Sequence, residues 1–181
     1  MTEKEIIKGC IENDPQCQHV LFKQYSKAVM GVCLRYASDT LEAEDILQDT
    51  FIKLFKTIKQ FRFEGSFEGW IRKITVRTCL AALPKKRIRY TDVNTAEFAI
   101  DPNALHAISA MSEKELIEMI RQLPEGYRIV FNLYVIEGYG HDEIAAMLNI
   151  DNGTSRSQLA KARKMLQRQI LLQQKIIMHN D

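Results

Sequence analysis

Cysteine and histidine are scarce in this chain of 181 residues, and neither residue type clusters. No Cys-x-x-Cys pair is present and the histidines stand far apart, so the spacing of a zinc site and the pairing of a disulfide framework are both missing. We therefore predict no metal, no cofactor and no disulfide, and free thiols of this kind fit a reducing cytoplasm. The residues concerned are Cys10, Cys17, Cys33, Cys79, His19, His106, His141 and His179.

Long apolar runs and strand-like alternation are also missing. The N-terminus reads MTEKEIIKGC, which has charges where a signal peptide needs an apolar core, and no later run of about 18 apolar residues could span a bilayer. Apolar residues instead recur at helical spacing almost everywhere. We predict an all-α protein of the cytoplasm that is neither exported nor inserted into a membrane.

Acidic residues are missing from two long stretches, although the net charge of the whole chain is only +2. Residues 69–91 and residues 152–180 contain lysine and arginine but no aspartate or glutamate. Such a run is either a solvated helix face or a phosphate-binding surface. Where each run lies in the folded protein distinguishes a solvated face from a phosphate-binding surface.

Capping residues predict where the helices begin and end. Thr2, Asp14 and Ser66 are N-cap residues for three helices, and Pro124 opens a helix that we expect to continue to Glu137. These signals are local, so they fix helix ends more directly than they fix packing.

Helical periodicity fades in the middle of the chain. Pro84 must end the helix before it, and Ser112 with Glu115 forms a capping box that opens the next helix. We therefore predict two small helical domains joined by a flexible linker. Their predicted bounds are 1–83 for the first domain, 84–111 for the linker and 112–181 for the second domain.

The second domain contains the layout of a helix-turn-helix. A short helix over residues 141–150 carries the small Ala145, a turn follows at residues 151–153, and Thr154 is the expected cap of a long acid-free helix. The first residues of such a helix meet base edges in the major groove. An ordinary helical hairpin with a basic exterior is the alternative. The residues expected to face DNA are Ser155, Arg156, Ser157, Ala160 and Lys161.

Residues 123–166, LPEGYRIVFNLYVIEGYGHDEIAAMLNIDNGTSRSQLAKARKML, closely resemble the promoter-binding domain of extracytoplasmic-function (ECF) sigma factors. The ordered set of Leu-Pro, Glu-Gly, Glu-Ile-Ala and Gly-Thr carries the resemblance. It implies contact with the minus-35 element, in which Ala160 offers only a methyl group. The implied minus-35 residues are Thr154, Ser155, Arg156, Ser157, Ala160, Lys161, Arg163 and Lys164.

The N-terminal half resembles region 2 of the same family through AEDILQDTFIKLF and FRFEGSFEGWIRKI. The resemblance implies that the helix carrying the first motif docks on core RNA polymerase; a solvated face is the alternative. The implied polymerase-binding residues are Asp45, Gln48, Asp49 and Lys53.

The second motif combines aromatic and cationic residues, an arrangement suited to holding unpaired bases and their backbone. The resemblance makes this the minus-10 site, where a base turned out of the stack is captured in a loop pocket. Phe67 and Trp70 also stand at core positions, and Trp70 is chiefly a core residue on this interpretation. The implied minus-10 residues are Phe61, Arg62, Phe63, Phe67, Trp70, Arg72, Lys73 and Arg77.

The chain departs from the family pattern at Arg77, Ala81 and Pro84, where Asn, Asp and Arg are expected. These three departures cluster at the end of the helix that follows the second motif. The resulting hypothesis is a two-domain sigma factor that binds core RNA polymerase and promoter DNA and that an anti-sigma factor could control, with no small-molecule substrate. A one-component regulator and a nuclease using Asp45 and Asp49 for metal remain as alternatives.

Overall fold

The computed structural model of the protein describes residues 1–83 and 111–178, with side chains up to residue 173 except that of Glu113. The described residues form helices and no strand, which confirms the all-α prediction. The chain divides into two compact units, Met1–Pro84 and Lys85–Asp181. Apart from Met111, the predicted linker lies outside the described residues.

The first unit is built from four α-helices and one short 3-10 turn. These are α1 (Glu3–Ile11), α2 (Pro15–Tyr36), α3 (Thr40–Thr57), the 3-10 turn Ile58–Gln60 and α4 (Phe67–Ala82). Helix α2 packs against α1, α3 and α4, and α3 also packs against α4. Their shared core is fully buried and includes Leu21, Cys33, Tyr36, Leu54 and Cys79, so the two thiols behave as small apolar groups.

The predicted caps of this unit are observed. The Thr2 Oγ1 accepts from the Glu5 N–H and the Glu5 Oε2 accepts from the Thr2 N–H, which completes a capping box. Asp14 accepts from the Gln16 N–H ahead of α2, and Ser66 accepts from the Gly69 N–H ahead of α4. Helix ends of this kind are set by contacts across two or three residues.

The second unit contains α5 (Glu113–Arg121), α6 (Glu125–Phe131), the π-helical turn Asn132–Ile136, α7 (His141–Leu148) and α8 (Asn152–Met178). Ser112 and Glu115 form the predicted capping box of α5. Helix α8 packs against α6 and α7, and the core includes Ile129, Leu133, Ile144 and Ala162. Within the described ranges, no helix combines the length and the apolar character needed to cross a bilayer.

The helix predicted from Pro124 to Glu137 is observed as far as Ile136, but its second half is π-helical, which the sequence did not indicate. The α-helix ends at Phe131, and the wider turn that follows bonds the Glu137 N–H to the Asn132 carbonyl at 2.9 Å. Gly138 then reverses the chain with a φ of 79°. The pattern of apolar residues could not show this, because a single π turn shifts the helical repeat by only one residue.

Candidate functional site

The turn between α7 and α8 is tight and held by hydrogen bonds. Asn149 ends α7 in the left-handed conformation, and the Asp151 carboxylate accepts from the Thr154 N–H at 2.7 Å. The prediction that Thr154 caps α8 is therefore wrong, because Asp151 has that role and α8 begins at Asn152. Thr154 is buried in the first turn and donates its hydroxyl to Asp151.

Helix α8 separates the predicted minus-35 residues into an exposed group and a buried group. Arg156, Arg163 and Lys164 are exposed, and Ala160 and Lys161 are half-buried. Positions 156, 160, 163 and 164 share one face of the helix because they recur at helical spacing. Thr154, Ser155 and Ser157 are buried, so their side chains face the protein and not the solvent.

Arg156 is tied to the preceding helix through two hydrogen bonds. Its Nε donates to the Asn152 Oδ1 at 2.7 Å, and the Asn152 Nδ2 donates to the Asp142 Oδ1 at 2.5 Å. The bond uses Nε, so the two terminal nitrogens of the guanidinium remain the pair that could bind a guanine edge. A side chain oriented in this way loses less conformational freedom on binding.

An aromatic pair lies against the first turns of α8. The rings of Tyr134 and His141 stack with centroids 4.5 Å apart, and the His141 Nδ1 lies 2.9 Å from the Ser155 Oγ. The Arg163 guanidinium lies 5.8 Å from the centre of the Tyr134 ring, within cation–π range. Sequence reasoning missed both aromatic residues, because they are separated along the chain from the helix they support.

His141 gives a pH-dependent prediction. Burial, and then the positive charges of Arg156 and Arg163, hold the pKa of His141 below its usual value, while Asp142 acts in the opposite direction. The folded state therefore favours the neutral ring. This contribution to stability is complete above about pH 6.5, the usual unfolded-state pKa, and is lost as the pH falls towards the lowered folded-state value.

We expect His141→Asn, which does not titrate, to lose less stability than the wild type between about pH 7 and pH 5. Urea unfolding of the full chain at both pH values measures the difference. The same pH dependence in both proteins would contradict the assignment.

In the first unit, the predicted minus-10 aromatic residues form one cluster. The ring of Phe61 lies 5.0 Å from that of Phe67 and 5.5 Å from that of Trp70, and Phe67 and Trp70 are stacked at 5.7 Å. Phe67 is fully buried and Phe61 nearly so, whereas Trp70 is half-buried. Trp70 is thus part of the core on one side and part of the surface on the other.

The surface beside this cluster contains a cavity of about 400 Å³. Its walls combine aromatic rings, two cations, one acid and small residues at the start of α4. Gly65, at a φ of 95°, lets the loop turn back onto α4. The lining residues are Gln60, Phe61, Arg62, Glu64, Gly65, Ser66, Gly69, Trp70 and Lys73.

The remaining predicted minus-10 residues lie outside these walls. Arg72 lines a separate cavity of about 50 Å³ with Tyr25 and Glu68, and Arg77 is exposed further along α4. Phe63 is 43% exposed, and its φ of 58° is left-handed. That conformation costs a residue with a Cβ about 1–2 kcal/mol.

The predicted polymerase-binding residues all lie exposed on α3. Two apolar residues accompany Asp45 and Gln48: Leu41 is 74% exposed and Ile52 is 51% exposed. The four positions share a face because they recur at intervals of three or four residues. We call this group, with Asp49 and Lys53, the α3 face. Its apolar members were missed from the sequence.

Comparison with known proteins agrees with this architecture. The sigma-70 region 2 family matches residues 21–88, and the sigma-70 region 4 family matches residues 113–166. The ECF RNA polymerase sigma-E factor of Haemophilus influenzae is 26% identical over 182 residues, which cover 94% of this chain and 96% of that protein. The RNA polymerase sigma-H factor of Pseudomonas aeruginosa is 26% identical and covers 91% of both chains.

Among solved structures, the sigma factor RpoE of Bartonella quintana, in complex with the anti-sigma factor NepR, has a TM-score of 0.51. It is 17% identical, and the similarity covers 84% of this chain and 95% of that one. At this identity the comparison supports the fold.

The second unit contains a helix-turn-helix and the first unit an aromatic, cationic loop. These are features of a DNA-binding transcription protein. The chain belongs to the sigma-70 family and is an ECF sigma factor, which binds core RNA polymerase and directs it to promoters for transcription initiation. It is not an enzyme, because sigma factors contribute no bond chemistry of their own. The regulator and nuclease alternatives are therefore excluded.

Proposed function

We propose that this sigma factor uses three separate binding surfaces. The α3 face binds core RNA polymerase, the loop cavity binds the minus-10 element, and α8 binds the minus-35 element. The domain bounds 1–83, 84–111 and 112–181 belong to this proposal. The main support for this proposal is that the first unit has an aromatic, cationic cavity and the second unit has a cationic helix face.

For the minus-35 element, Arg156 reads a base edge from the first turns of α8, and Arg163 and Lys164 hold phosphates. Ala160 lies between them and offers a methyl group to a thymine methyl, and Lys161 adds a half-buried cation. The buried Thr154, Ser155 and Ser157 act by fixing the helix start instead of touching DNA. Specificity then depends chiefly on Arg156.

For the minus-10 element, the cavity takes one base that has left the stack. Its volume of about 400 Å³ is large enough for a nucleobase, and Trp70 and Phe61 supply aromatic walls. Arg62 and Lys73 line the same cavity and suit the neighbouring phosphates. Phe67 supports these rings from the core, and Arg72 and Arg77 extend the cationic surface along α4.

The α3 face combines separated charges with two exposed apolar side chains, which is the composition of a reversible protein interface. We place the linker, residues 84–111, along the polymerase, where its acids suit basic surroundings. The protein would act in the cytoplasm. By analogy with the Bartonella complex, an anti-sigma factor is a further partner.

Run-off transcription with purified bacterial core polymerase on random promoter DNA tests the proposal. We expect promoter-selective transcripts that require the full chain, and comigration of the chain with core polymerase on a sizing column. Absence of both would overturn it. The selected promoters also provide the DNA for the experiments below.

A further inference from the structure

His141 lies where the two helices of the helix-turn-helix meet. It is the first residue of α7, and its Nδ1 lies 2.9 Å from the Ser155 Oγ in the first turn of α8. In such a motif the second helix lies in the major groove and the first helix crosses the DNA backbone. A side chain that begins the first helix and contacts the second is therefore placed beside the DNA phosphates.

The ring of His141 is held in one orientation and still reaches the surface. It stacks on the Tyr134 ring with centroids 4.5 Å apart, and its Nδ1 is occupied by the hydroxyl of the buried Ser155. The side chain as a whole is only half-buried. In a protonated ring both nitrogens are donors, so Nδ1 can keep Ser155 as its partner while Nε2 donates to a phosphate oxygen.

Burial and two arginines favour the neutral form of this ring in the free protein. The elements packed against α7 are α8 and the π-helical turn. They place Arg156, Arg163 and Tyr134 near His141, and Asp142 follows it on α7. Burial, and then the charges of Arg156 and Arg163, lower the pKa of His141, whereas the charge of Asp142 raises it.

We propose that His141 is a further DNA-binding residue of the minus-35 site that takes up a proton when the promoter binds and then contacts a backbone phosphate as a cation. This inference rests on the proposed role of α8 in minus-35 binding. It adds a contact from α7 to that site and makes the affinity for the minus-35 element depend on pH.

DNA reverses the balance of charge around His141. Arg156 and Arg163 are exposed and belong to the proposed minus-35 surface. Phosphates that neutralise these arginines remove their repulsion of an imidazolium, and a phosphate beside the ring attracts it. The pKa of His141 is then higher in the DNA complex than in the free protein. Since the complex binds more protons, the affinity rises as the pH falls through the pKa of the complex.

The test uses holoenzyme, reconstituted from the full chain and bacterial core polymerase, and two promoter duplexes. One contains the minus-35 element, and the shorter one ends downstream of it. At constant ionic strength, we expect the wild-type ratio of the two affinities to increase about three- to tenfold between about pH 7.5 and about pH 6.0. His141→Asn does not titrate, so its ratio should lie within about twofold of the wild-type ratio at the higher pH and should change less than about twofold.

Proton uptake is a second readout, which a purely structural role would not produce. Calorimetric titration of the longer duplex into holoenzyme, in two buffers with different heats of ionisation, gives the number of protons taken up. We expect the wild type to take up more protons than His141→Asn at about pH 6.5. His19→Asn is the matched control, because His19 is an exposed histidine on α2 in the first unit, and it should behave like the wild type.

The outcomes separate this inference from the proposed role of α8. If the wild type prefers the longer duplex equally at both pH values, or if His141→Asn keeps the wild-type pH dependence, only the role of His141 is overturned. Equal weakening of His141→Asn at both pH values, with unchanged proton uptake, overturns that role too, because the side chain would then be structural. If the wild type does not prefer the longer duplex at either pH, the minus-35 proposal is overturned as well.

Discussion

Arg156→Glu is expected to abolish minus-35-dependent binding and to leave binding to core polymerase intact. The change removes the donor pair that could read a guanine edge, worth about 1–3 kcal/mol, and places a negative charge among phosphates. We expect affinity for minus-35 DNA to fall about 100-fold, and gel-shift titration with the holoenzyme measures it. We expect the fold to be retained, because the side chain at position 156 is exposed.

Arg168→Glu is the matched control. It makes the same charge change on an exposed residue of the same helix, about three turns further on. We expect Arg168→Glu to weaken DNA binding only through long-range electrostatic repulsion, so the weakening should become smaller as the salt concentration is raised. The loss of minus-35 affinity in Arg156→Glu should persist at the same salt concentrations. Equal losses in the two variants would contradict base reading by Arg156. Loss of core binding in Arg156→Glu would contradict separate surfaces.

The features that the sequence predicted correctly are those decided within a few residues. The capping boxes at Thr2 and Ser112 are contacts between positions three apart, and helical periodicity identified the all-α class. The helix-turn-helix was found for the same reason. Its exact start was not, because Asp151 and Thr154 are both good capping residues and only the fold shows which one is used.

The features that were missed depend on contacts between distant segments. Ser155 and Ser157 are polar residues in an acid-free helix, and only the packing of α8 on α6 and α7 buries them. Tyr134 belongs to the π turn and stacks on His141, the first residue of the next helix. The exposure of Leu41 also depends on tertiary packing, because a leucine in a helix ordinarily lies in the core.

Charge reversal on the α3 face should have the second large effect, on polymerase binding. In the double variant Asp45→Lys with Asp49→Lys, two exposed carboxylates that would meet a basic partner surface become repulsive. Truncating one partner of a charge pair that the interface buries costs about 2–5 kcal/mol, and reversing both charges adds repulsion, so we expect core affinity to fall at least about 100-fold. Titration of labelled chain with core polymerase measures this loss, and transcription from the selected promoters should fall with it.

Glu12→Lys is the control for net charge, because Glu12 is exposed and stands at the end of α1 and not on α3. It should bind core polymerase within about twofold of the wild type.

Ile52→Ser then separates the apolar part of the interface from the charged part. The loss of core affinity in Ile52→Ser should persist at high salt. The loss of core affinity caused by the charge reversal should become smaller, because added salt screens the repulsion. If the double variant binds core polymerase normally, the α3 face is only a solvated helix surface and another part of the first unit must dock. The loop cavity would then have to be tested for polymerase contact as well as for DNA.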